Sequence, residues 1–101
     1  MARKKLKEFG TNLEGLRFSD AMIDKVWKNE EIIPGKDPDL YHRDVTGKVI
    51  CKPSYDMNSR MGWEIDYKKP LAKEGTDNLR NLQPLQTGQN RNKGGQYPWE
   101  P

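Results

Sequence analysis

Asp66, Asn81 and Asn90 are the residues of this chain whose types and spacing could do chemistry. Asp66 lies near the end of a strand-like run, Arg60–Tyr67; Asn81 sits on the polar stretch that follows, and Asn90 on a short helix-like segment beyond it. If the loop and helix fold back on the strand, one carboxylate and two amide oxygens meet. Such hard donors suit a divalent cation such as magnesium, held together with water and phosphate oxygens. The same three residues also read as a turn carboxylate and two capping amides, and their spacing alone does not decide between the two. Cations crowd the same stretch: Lys68, Lys69, Arg80, Arg91 and Lys93. They read either as solvated charges or as contacts to a phosphate backbone.

The elements that must position these residues are short. Ser19 reads as an N-cap with Asp20 in the first turn, where the helix dipole favours an acid. Met22, Ile23, Val26 and Trp27 then form one apolar face of a helix that ends near Asn29 or Glu31, before Pro34-Gly35. Residues 34–47 carry turn signals, with a helical turn expected around Leu40–Asp44. Lys48–Lys52 is strand-like and closed by Pro53. Arg60–Tyr67 is a second strand, with Trp63, Ile65 and Tyr67 on one face and Glu64 and Asp66 on the other. The two are expected to pair as a hairpin over 48–67. After Pro70 comes a loop anchored by Leu79, Leu82 and Leu85, then a short helix over 86–93 ended by Gly94-Gly95. Trp99 is expected to pack back onto the domain. The fold class that follows is α+β.

The chain has 101 residues, which bounds it to one small domain, over 18–101. Only 33% of residues are hydrophobic and the mean hydropathy is −1.08, so the core is thin. Three tryptophans and four tyrosines supply much of its volume. A single cysteine, Cys51, excludes a disulfide framework and a Cys-rich structural zinc site. No apolar run reaches the ~20 residues of a membrane span. The N-terminus lacks the apolar segment of a secretory signal, so a cytoplasmic protein is expected. Net charge is +3. Residues 1–10 hold four cations against Glu8, which leaves 14 basic and 14 acidic side chains in the rest. The excess therefore sits on an N-terminal arm, residues 1–17, where Arg3, Lys4 and Lys5 would add salt-sensitive affinity for phosphates.

The runs Gly62-Trp63-Glu64-Ile65-Asp66, Lys69-Pro70-Leu71, Gly75-Thr76-Asp77-Asn78-Leu79, Asn81-Leu82-Gln83-Pro84-Leu85 and Asn90-Arg91-Asn92-Lys93-Gly94 agree in order and spacing with one family. Together they closely resemble an HNH endonuclease domain. Asp37-Pro38, Tyr41, Asp44, Gly47 and Ile50 upstream, and Gly94–Pro98 downstream, resemble a small zinc-free subgroup. The resemblance implies a ββα-metal finger with its core at about 48–95 and the N-terminal helix packed on it. It makes Asp66 and Asn90 ligands of a catalytic divalent metal, magnesium or manganese, with nickel and zinc as alternatives. No structural zinc is expected. Asn81 would brace the loop and orient the base. DNA is the implied partner. The chain departs from the pattern at Tyr67, where the family carries its general-base histidine, and at Thr87-Gly88, where bulkier residues are usual.

Tyrosine changes the expected mechanism. A phenol with a pKa of ~10 is ionised about once in a thousand molecules at pH 7. Losing a general base typically costs ~10²–10⁴ in rate. The sequence therefore suggests a finger that binds DNA with impaired cleavage. An active endonuclease is the first alternative. It requires that His42, Tyr67 itself or metal-bound hydroxide supply the base, or that Tyr67 stand in for a natural histidine. A finger repurposed to bind a protein partner is the second.

Overall fold

Ser19 starts the first element. The computed structural model describes residues 16–99. Within it, Ser19 is the N-cap of α1, Asp20–Trp27, and its side chain accepts a hydrogen bond from the Met22 amide at 3.1 Å. The helix buries Ile23, Val26 and Trp27, the face its spacing predicts, and the Ser19 cap satisfies one of its free first-turn amides. Its outer face is tied down by Asp24, which pairs with Lys28 and Lys52.

The chain then builds two small antiparallel sheets. The first has the order β1–β2–β3, from Glu31–Ile32, Tyr41–Arg43 and Val49–Cys51. The second pairs β4, Trp63–Tyr67, with β5, Leu82–Gln86. The closing helix, α2, spans Thr87–Lys93 and follows β5 without a connecting residue. The α+β class expected from sequence is the class observed. Among the described residues no helix is long and apolar enough to cross a membrane.

Two local expectations need correction. Leu40–Asp44 contains a strand, not a helical turn, because β2 is paired on both sides, Ile32 and Ile50 both facing His42. The predicted hairpin over 48–67 does not form. Lys52–Ser54 takes a 3-10 turn with Pro53 in its first residues, and the chain returns so that Tyr55 bridges Trp63 in parallel. The strand opposite β4 is Leu82–Gln86, a stretch the sequence reads as an anchored loop around Pro84. Pro84 is tolerated there because of register. Thr87 N donates to Gly62 O and Lys68 N to Asn81 O, so hydrogen-bonded pairs fall at every second position between them. Pro84 faces Ile65 at a position between those pairs, where its missing N–H costs no ladder bond.

One apolar cluster joins α1, β3, β4 and β5. Trp27 stacks on His42 at 4.2 Å and lies 5.2 Å from Trp63, which also meets Tyr55 edge-on at 4.8 Å. With so few aliphatic residues, these rings fill the space between the two sheets. Trp99 is half-buried.

Candidate functional site

All five residues of β4 are buried. Trp63, Ile65 and Tyr67 belong to the apolar core, as alternation predicts, and Glu64 and Asp66 take the other face. That face is roofed by α2. The Gln86 side chain caps the helix by accepting from Gln89 N at 3.0 Å, so the chain turns back over β4 at once. Thr87, Asn90 and Lys93, spaced i, i+3 and i+6, are the buried residues of α2.

The contacts around this interface are polar. Thr87 Oγ1 donates to Met57 O at 2.9 Å. Asn90 Nδ2 donates to Glu64 Oε1 at 2.8 Å, and Arg91 Nη2 reaches Glu64 Oε2 at 2.9 Å. The Lys93 ammonium lies 3.2 Å from Asp66 Oδ1 and donates to Tyr67 O at 2.9 Å. Gln83 Nε2 donates to Asp66 Oδ2 at 2.9 Å. Each of the two buried acids of β4 thus has its own cation.

The residues the resemblance assigns to a metal are therefore near one interface but engaged elsewhere. Asn90 is bonded to Glu64, and Asp66 to Lys93 and Gln83. Among the described residues, no three His, Cys, Asp or Glu side chains gather into a group that could hold a metal ion. The oxygens of Asp66 and Tyr67 are chemically suited to a hard cation, yet the ammonium already sits on both. As arranged, these residues do not fit a divalent metal; Lys93 would have to leave first. Lys93 is 2% exposed, so it does not reach solvent as a phosphate contact would.

Tyr67 is 3% exposed and its hydroxyl donates to Asp77 Oδ1. Burial, and after it the Asp77 carboxylate, push its ionisation further above the usual phenol range. It is a committed donor and a worse base than a free tyrosine. His42 is buried against Trp27 in β2, with Nδ1 lacking a hydrogen-bond partner.

The Asn81 side chain crosses the loop from 68 to 81 with three hydrogen bonds. Its Oδ1 accepts from Lys69 N at 2.8 Å, and its Nδ2 donates to Lys69 O and Thr76 O at 3.0 and 2.9 Å. Gly75 lets the strands of that loop touch: a Cβ there would lie 1.7 Å from Lys69 O. The result is a shallow, open depression of about 390 Å³ edged by Lys69, Asn78, Arg80 and Asn81. Lys68, Lys69 and Arg80 are exposed, whereas Arg91 is drawn onto Glu64 with about half its side chain still in solvent. Arg3, Lys4 and Lys5 lie outside the described residues.

The motif runs include Glu64, Gln83, Asp77 and Lys93 but assign none of them the contacts seen here. Two had a local signal. Alternation puts Glu64 beside Asp66, and helical spacing puts Lys93 beside Asn90. Gln83 and Asp77 had none, since each depends on a partner distant in sequence. Comparison of the chain with protein-family models, with curated proteins and with solved structures finds no match.

Proposed function

We propose that this chain is an HNH-like finger that binds nucleic acid and does not cut it. The chain order β4, braced loop, β5, α2 supports the finger, with Asp66 at the strand end, Asn81 on the loop and Asn90 over the strand. The observation that carries the reading is the pair of closed groups at the end of β4. Asp66 is held by Lys93 and Gln83, and the Tyr67 hydroxyl donates to Asp77. A hydrolytic centre needs an accessible metal ligand and a group free to accept a proton. Binding needs neither. It needs exposed cations on a rigid support, and the loop offers Lys68, Lys69 and Arg80. The arm's Arg3, Lys4 and Lys5 would add contacts along the backbone.

The test is fluorescence anisotropy of a labelled duplex at stepped salt. The Lys69→Gln/Arg80→Gln variant should bind more weakly on any sequence, with the salt slope reduced by about 2. Supercoiled plasmid incubated with magnesium, manganese or nickel should stay uncut. Metal-dependent nicking abolished by Asp66→Ala would overturn the reading. Absence of DNA affinity even at low salt would turn attention to a protein partner, which the balanced charge of residues 11–101 also suits.

A further inference from the structure

The geometry points to Asp66 and the Tyr67 carbonyl as a cation site whose occupant the chain itself supplies, the ammonium of Lys93. Three observations lead there. Lysine is among the residues least often buried, and Lys93 is 2% exposed in the last turn of a seven-residue helix. It is buried for its charge, since Nζ meets a carboxylate oxygen at 3.2 Å and a backbone carbonyl at 2.9 Å. Those are the oxygen types that hold hard cations. Asp66 is itself 5% exposed and bonded on its second oxygen to Gln83, so the carboxyl group is held in place by β5 as well as by α2.

The neighbouring acid does not compete, because Glu64 is matched by Arg91 and Asn90. The interface between β4 and α2 is thus neutral with Lys93 in place. A divalent ion would add two charges beside the ammonium that already sits on Asp66. Lys93 therefore makes the finger independent of metal and locks the end of α2 to the end of β4. This deepens the reading of the chain as an HNH-like finger, yet its test reads no nucleic acid. A failure of DNA binding leaves the outcomes below unchanged.

The experiment titrates the full chain with manganese, following free manganese by its electron-spin resonance, and records melting with and without the ion. The natural chain should show no saturable site and no change in melting temperature with manganese or chelator. Lys93→Ala removes the ammonium from buried Asp66. It should melt well below the natural chain, bind manganese at least about tenfold more tightly than the natural chain does, and regain part of its melting temperature. Asp66→Asn/Lys93→Met removes both charges, and should fold without responding to metal. If Lys93→Ala does not fold alone, manganese should fold it; failure to do so while the double variant folds overturns the inference. So does saturable manganese binding by the natural chain that Asp66→Asn abolishes.

Discussion

Replacing Asp44 by asparagine tests how the site is held together. Asp44 is 3% exposed and lies in the turn between β2 and β3. Its Oδ1 accepts from Thr46 N at 2.9 Å, Thr46 Oγ1 at 2.7 Å and Lys48 N at 2.9 Å. These three close a turn that also needs Gly47, at φ +88°. The fourth bond is long-range: Oδ2 accepts from Gln86 N at 2.8 Å. Gln86 caps α2, so this bond ties the first sheet to the point where the helix starts back over β4. In Asp44→Asn one oxygen can still serve the turn, but the amide nitrogen then faces Gln86 N, donor against donor. The change removes one hydrogen bond to a charged acceptor, worth about 1.5–3 kcal/mol, and leaves buried N–H groups unpaired at a cost of about 1–3 kcal/mol. A loss of about 3 kcal/mol is expected, a large share of the ~5–15 kcal/mol that holds such a domain together. With a urea slope of about 1.5 kcal/mol/M, the unfolding midpoint should fall by about 2 M. Thr46→Ala, which loses only the hydroxyl, should move it by less than half as much. A midpoint for Asp44→Asn within about 0.5 M of the natural chain would refute the claim that this carboxylate joins the two sheets.

Two further outcomes follow from the same structure. Burial, and then the nearby Asp44 carboxylate, push the Glu30 carboxyl up from its ordinary 4.5 to about 7, with Lys68 pulling the other way. The folded chain therefore binds more protons than the unfolded one between those values, and stability from this group falls as pH rises through that window. The shift corresponds to about 3 kcal/mol at most, and solvent at a half-buried group reduces it to about 1 kcal/mol. Urea midpoints at pH 5 and pH 8 should show Glu30→Gln flattening that slope; an unchanged slope would assign it to another group. Gly75→Ala would drive a Cβ to 1.7 Å from Lys69 O and 2.7 Å from Lys69 C, both backbone atoms that cannot swing aside. It should cost about 3 kcal/mol and lower the melting temperature by more than about 10 °C, while Gly95→Ala, whose Cβ meets nothing, changes little.

Tyr67 shows how a motif and its surroundings combine. Its identity already argues against a general base at the end of β4. The tertiary fold adds a second obstacle that no motif displays, since the carboxylate next to it is closed by Lys93 from the far end of α2. Placing histidine at 67 alone would leave that ammonium in place.

What the sequence determined by itself is local and periodic. Ser19 and the apolar spacing through Trp27 set α1, because capping and amphipathicity act within a few residues. Alternation sorted β4 into Trp63, Ile65 and Tyr67 on one side and Glu64 and Asp66 on the other. The helix expected over 86–93 formed as Thr87–Lys93, ended by Gly94. Only the tertiary structure decided which strand lies opposite β4, since period-two alternation fixes a face but carries no information on the partner. That choice made a strand of Leu82–Gln86 and placed Pro84 where it needs no donor. It also brought Gln83 to Asp66, Asp77 to Tyr67 and Gln86 to Asp44. A lysine reads as solvated charge until a carboxylate that must be neutralised is packed against it, and that pairing, Lys93 on Asp66, exists only once α2 folds over β4.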